Sequence, residues 1–185
     1  MTPGRRDALI LGAAGIAAAA AGFLLGPILL RSTGGGNAGE GGTAGNLVLR
    51  SANFVDLAGR TRGLSEWQGR ILLCNFWATW CTPCREEIPM LVAAQRKYAH
   101  KGVEIVGIAI DNAAKVREFS TTFSISYPIL LAQGEGLELM RRLGNGSGGL
   151  PYTVLFDRQG SVVHRKLGAL REVELDQILD PLVRG

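Results

Sequence analysis

Two cysteines set two residues apart, in Cys81-Thr82-Pro83-Cys84, are the residues of this chain best suited to chemistry. They follow an apolar run, Ile71-Leu72-Leu73-Cys74-Asn75-Phe76-Trp77, and precede a segment that reads as a helix from Arg85 onward. A strand that delivers a C-x-x-C to a helix start suits thiol–disulfide exchange. The two sulfurs can bridge, and the first sits where unpaired helix N–H groups and the helix dipole favour a thiolate. The thiolate is the nucleophile, so a lowered cysteine pKa is what this chemistry needs. Two other uses of the pair stand beside it. Half a structural zinc site would require two further ligands, and the remaining candidates, Cys74, His100 and His164, are single and widely spaced. A purely structural bridge would close a very short loop and add little stability. Cys74, inside the apolar run, reads as a small buried hydrophobe.

These residues must be positioned by the elements around them. Leu47 to Leu57 reads as an early strand pair, with a turn at Asp56–Gly59. Leu64 to Trp67 reads as a short helix. Ile71 to Trp77 and Val103 to Ile110 read as buried strands, continuous in apolar residues as central parallel strands are. Pro83 to Ala99 has helical spacing at Ile88, Leu91, Val92 and Tyr98, with a kink expected at Pro89. Ala113 to Phe123 places Val116, Phe119 and Phe123 on one helical face, and Tyr127 to Leu131 is a short extended stretch. Gly136 to Leu143 reads as a helix with Leu137, Met140 and Leu143 inward. Tyr152 to Phe156 and Ser161 to Leu167 flank the hairpin turn Asp157–Gly160, and Glu172 to Leu182 is a closing helix ended by Pro181. Helices alternating with buried strands before a C-terminal hairpin predict a three-layer α/β/α sandwich around a mixed sheet.

The chain before this domain divides in two. Ala8 to Leu30 is 23 residues without a charge, preceded by Arg5-Arg6. As a helix it would extend roughly 34 Å, enough for a bilayer core. The arginines predict a cytoplasmic N-terminus and an exported remainder. Residues 1–31 therefore read as a signal anchor, a cleaved secretory signal or a twin-arginine export signal, and each places the domain outside the cytoplasmic membrane of a bacterium. Residues 32–46 hold seven glycines and no large apolar side chain, which predicts a flexible linker with a reach on the order of 20 Å before a domain at 47–185. The formal net charge is +4; the first 31 residues carry three arginines and one aspartate, leaving +2. That balance, without a basic cluster interleaved with aromatics, excludes nucleic acid as an expected partner.

The stretch Asn75-Phe76-Trp77-Ala78-Thr79-Trp80-Cys81-Thr82-Pro83-Cys84-Arg85-Glu86-Glu87-Ile88-Pro89 closely resembles the thioredoxin superfamily, above all its membrane-tethered, extracytoplasmic TlpA/ResA-like branch. The resemblance runs from about Leu47 to the C-terminus. It implies that Cys81 is the exposed attacking cysteine, Cys84 the buried resolving one, and Glu87 an acid that takes up or releases protons beside them. Asn75 stands where ordinary thioredoxins carry a buried aspartate. Leu150-Pro151-Tyr152-Thr153 resembles the family's cis-proline loop, which faces the cysteines and pairs with substrate backbone. From the residues alone Pro151 could equally be a trans turn proline; the resemblance implies cis. Trp80, Pro83, Leu150, Pro151 and Tyr152 are the expected substrate-facing residues.

Two departures accompany the match. Asn145-Gly146-Ser147-Gly148-Gly149 makes a longer, glycine-rich approach to Pro151, and the Pro-Glu-Thr of cytochrome c maturation thioredoxins is absent. The resemblance implies a protein-disulfide reductase that needs no organic cofactor or metal and acts as a monomer. Its electrons would come from a thiol-transferring membrane protein. Oxidised apocytochrome c, copper-site assembly factors and misbridged envelope proteins are the clients it suggests. A disulfide-forming oxidase is the first rival. A thiol peroxidase is another, although Cys81 lacks the Pro-x-x-x-Thr-x-x-Cys context. A copper carrier would need wider cysteine spacing and a histidine.

Overall fold

Strand β3 (Ile71–Trp77) is buried along all seven residues. An apolar strand with no polar face requires cover on both sides, and the chain supplies it. In the computed structural model, which describes residues 38–184, β3 lies parallel to β4 (Val103–Ala109) and antiparallel to β6 (Tyr152–Phe156). β4 pairs in parallel with β5 (Ile129–Leu131). β5 pairs antiparallel with β1 (Asn53–Asp56), β1 with β2 (Thr61–Gly63), and β6 with β7 (Val162–Leu167). The order across the sheet is β2-β1-β5-β4-β3-β6-β7. This is the expected mixed sheet.

Because side chains alternate along a strand, β3 feeds two cores. Ile71, Leu73 and Trp77 pack under α2 (Thr82–Tyr98), α3 (Ala113–Thr122) and α5 (Glu172–Arg184). Leu72, Cys74 and Phe76 pack toward α1 (Ala38–Ser51) and α4 (Gln133–Arg142). The three layers follow directly from that alternation. The Asp157–Gly160 turn closes the β6–β7 hairpin, with the Gly160 amide donating to the Asp157 carbonyl and Gly160 at φ +81°.

The N-terminal side differs from the sequence reading. Residues 38–46, expected as coil, form the first part of α1, and Leu47–Leu49, expected as a strand, continue it. Val48 and Leu49 are buried, and the Asn46 amide donates to the Gln159 carbonyl at 2.8 Å. Gly45 lies so close to the hairpin turn that a Cβ there would stand 2.7 Å from the Gly160 carbonyl oxygen. Tertiary contact thus overrides the poor helix propensity of glycine, roughly 1 kcal/mol per residue. Pro181 also behaves differently: α5 continues through it to Arg184, while Pro89 lies inside α2. Both prolines are exposed, so the lost backbone bonds face water. In α4 the inward residues are Leu139 and Met140, followed by Leu143, while Leu137 is exposed. The apolar segment 8–30 lies outside the described residues; among those described, no helix is long and apolar enough to cross a membrane.

Candidate active site

β3 ends at Trp77, and the next four residues carry the chain to the start of α2. That short loop is anchored from β4's end: the Thr79 amide donates to Asp111 Oδ2 at 3.3 Å, and the Thr79 hydroxyl donates to the same oxygen. The Asn112 amide donates to Asp111 Oδ1 at 2.8 Å. Burial pushes the Asp111 carboxyl up, but these donors outweigh it and hold it below the usual carboxylate range. Asp111 was not singled out from the sequence, since nothing local marks it as a partner for a loop 32 residues earlier.

Cys81 is the N-cap of α2, and its sulfur accepts the Cys84 amide N–H at 3.3 Å. The two cysteines form a disulfide with Cα atoms 5.3 Å apart. Cys84 is wholly buried; Cys81, expected to be exposed, is also buried at 6% exposure and is the more accessible of the two. An amide N–H at a helix N-terminus aimed at Cys81 Sγ stabilises negative charge on that sulfur once the bond opens. Cys74 belongs to the opposite face of the sheet, where burial pushes its thiol pKa up, so it does not join the pair. Neither His100 nor His164 belongs to a cluster of metal-ligating side chains among the described residues.

Glu87 sits one turn beyond Cys84 on α2 and is 3% exposed. Its carboxylate accepts the Asn75 side-chain amide at 2.7 Å on Oε1 and the Leu170 backbone N–H at 2.7 Å on Oε2. Asn75 also donates to Thr153 Oγ1 at 3.0 Å, tying β3 to β6 beneath the helix. Burial raises the Glu87 pKa, and the two donors pull it partly back. A carboxyl poised this way can exchange a proton nearer to neutrality than an exposed one.

The rim holds the remaining sequence candidates. Trp80 is 66% exposed beside Cys81, and Pro83 is exposed in the first turn of α2. The Leu150–Pro151 peptide bond is cis, as the resemblance implied. Pro151 is buried, and Leu150 is half-buried against both cores. Tyr152 is not on this rim. It pairs with Phe76 in the β3–β6 ladder, so its ring enters the opposite core and its hydroxyl donates to the Leu143 carbonyl at 2.7 Å. Gly144–Gly149 is organised by Asn145, which donates to the Gly149 carbonyl at 2.8 Å and accepts from Ser147 Oγ and the Gly148 amide.

A strand-delivered C-x-x-C, a buried acid one turn on and a cis-proline just before the neighbouring strand β6 make up the site. The profile of the Redoxin family matches residues 43–179. The chain belongs to that family. Within it, this redoxin is a thiol–disulfide oxidoreductase of the ResA type, in the TlpA/ResA-like branch of the thioredoxin superfamily. It is 33% identical over 131 residues to "Thiol-disulfide oxidoreductase ResA" of Bacillus thuringiensis (strain Al Hakam), covering 69% of this chain and 73% of that protein. "Thioredoxin-like protein YneN" of Bacillus subtilis (strain 168) is 32% identical over 128 residues, 67% of this chain and 72% of that one. Among solved structures, a thiol:disulfide interchange protein of Chlorobium tepidum TLS superposes with a TM-score of 0.65 at 29% identity, covering 71% of this redoxin and 92% of that chain.

Proposed function

We propose that this redoxin is an extracytoplasmic protein-disulfide reductase. The observation that carries the reading is the Cys84 N–H directed at Cys81 Sγ, with Cys84 itself buried above Glu87. In the dithiol form, the Cys81 thiolate attacks a sulfur of a client disulfide. The client S–S bond breaks, and the departing client sulfur takes the electron pair and a proton. Cys84 then gives its proton to the Glu87 carboxylate as its sulfur attacks Cys81 Sγ. The bond between Cys81 and the client breaks, the second client sulfur takes the electron pair and a proton from solvent, and the client leaves as a dithiol. Two electrons have passed to the client, and the Cys81–Cys84 disulfide remains. The two sulfurs carry both electrons, so the cycle requires no organic cofactor or metal.

Trp80, Pro83 and Leu150 supply the client-facing surface; Pro151, whose side chain is buried, and Tyr152 support the loop from within. Thr82-Pro83 resembles the dipeptides of reducing relatives, which favours reduction over oxidation. The tether is residues 8–30, with Arg5-Arg6 on the cytoplasmic side; a cleaved leader would release the domain instead. A thiol-transferring protein of the inner membrane returns the pair to the dithiol. The resemblance to the TlpA/ResA-like branch favours clients of the cell envelope, apocytochrome c and copper-site assembly factors among them, and the unit of action is a monomer.

The deciding experiment is the reduction potential of Cys81–Cys84 in the purified full chain, followed by tryptophan fluorescence in graded thiol buffers. A value near or below about −230 mV fits a reductase. A value near −120 mV marks an oxidase and overturns the direction, the electron donor and the client list.

A further inference from the structure

Among the described residues, three side-chain atoms on the α2 side of the sheet are buried without a hydrogen-bond partner: Asn75 Oδ1, Trp77 Nε1 and the Tyr127 hydroxyl. Each unpaired buried group destabilises the fold, and native interiors satisfy nearly all of theirs. These three belong together. Asn75 and Gly107 are partners in the β3–β4 ladder. Gly107 presents no side chain, and a Cβ there would lie 2.9 Å from Trp77 Nε1 and 3.1 Å from Tyr127 Cε2. Indole and phenol therefore close over bare backbone next to Asn75, whose amide nitrogen is already on Glu87. Burial, and then the charge of Glu87, push the Tyr127 pKa up, so the phenol stays an O–H donor beside that carboxylate.

We propose that Tyr127 and Trp77 are positioning residues for Glu87, holding ordered water between their O–H and N–H, the Asn75 carbonyl oxygen and the Glu87 carboxyl. A buried water needs two to four polar partners, and this site offers two donors, one acceptor and the carboxylate's remaining lone pairs. The water donates to the carboxylate and stabilises its charged form. It thereby sets the pH at which Glu87 accepts the Cys84 proton. The inference rests on the role of Glu87 in the proposed cycle. Among the described residues, the groups that bear on Glu87 are Cys84 one turn back on its own helix, Tyr127 ahead of β5, and the neutral Asn75 of β3 and Leu170 amide ahead of α5, with Thr153 of β6 bonded to Asn75. Arg171, next in sequence, is exposed.

The test is the pH profile of mixed-disulfide resolution in single turnover, with the full chain and a model disulfide peptide. In the native protein the rate rises with pH as Glu87 ionises. Tyr127→Phe removes a donor that favours the charged carboxylate, so the midpoint moves up by about half a pH unit and the acid-side rate falls about threefold. A role confined to packing would scale the rate at every pH and leave the midpoint in place. An unchanged midpoint in Tyr127→Phe overturns the inference, provided Glu87→Gln abolishes the pH step. If Glu87→Gln keeps the step, the role of Glu87 itself fails. Should the phenylalanine variant not fold, the Trp77 indole N–H resonance of the native dithiol form decides the matter. It follows the Glu87 midpoint if the groups share water, and stays flat if they do not.

Discussion

The two ends of helix α2 use carboxylates in opposite ways. At its start Glu87 is buried and, among the described residues, in no salt bridge; its hydrogen bonds come from an amide side chain and a backbone N–H. Ten residues on, roughly 15 Å along the axis, Lys97 and Tyr98 pin α2 to α5 through Asp176 and Asp180. Lys97 Nζ donates to both Asp176 oxygens at 2.8 Å. The Tyr98 hydroxyl lies 2.7 Å from Asp176 Oδ1 and 2.9 Å from Asp180 Oδ1. The Lys97 and Tyr98 donors, with the Lys97 charge, hold the Asp176 carboxyl below its usual range, whereas burial lifts that of Glu87. The far end is a solvated, fully partnered clasp. The near end sets a buried carboxyl of raised pKa among polar atoms that no protein group satisfies, an arrangement that suits proton transfer.

The pH dependence of stability separates the two ends. The folded-state pKa of Glu87 is raised, so its charged form costs stability once the pH exceeds the ordinary carboxylate value, and the cost grows until the pH passes the folded value. For Asp176 the folded pKa is depressed, so its contribution is present above the ordinary value and is lost as the pH falls through the folded one.

The largest effect belongs to the near end. Cys81→Ser reduces insulin-disulfide turnover to the uncatalysed background, and Cys84→Ser instead accumulates a mixed disulfide visible on a non-reducing gel. Next comes Glu87→Gln. It removes the acid-side step from the resolution profile and makes thermal stability rise relative to native as the pH climbs above the carboxylate range, read by melting curves from pH 4 to 8. At the far end, Tyr98→Phe removes one hydroxyl shared by two carboxylates. It lowers unfolding free energy in urea by about 1.5–3 kcal/mol and leaves the reduction potential in place. The smallest change is expected from Lys97→Met, an exposed ion pair whose loss shifts the urea midpoint less than Tyr98→Phe does and disappears in high salt. A potential that moved with Tyr98→Phe or Lys97→Met would break the division of labour along the helix.

Much of the site was legible because it is local. Cys81, Cys84 and Glu87 fall within two turns of one helix, so spacing and a helix start place them together. Trp80 and Pro83 follow from adjacency. Tyr152 was misread because it adjoins Pro151 in sequence, whereas the strand's alternation turns successive side chains to opposite faces. Asp111 and Tyr127 went unnoticed because each reaches the site from a different strand end.

The sequence by itself determined the redox pair, the buried central strand that presents it, the mixed three-layer sandwich and the hairpin that closes it. Those features rest on short-range rules: helix caps, apolar runs and turn residues. Only the tertiary structure decided that residues 38–51 form a helix, that Tyr152 faces away from the rim, and that Glu87 meets Asn75 and Leu170. These contacts join residues 12 and 83 positions from Glu87, and strand register with close packing sets them. No periodicity within a single segment encodes a meeting of that kind.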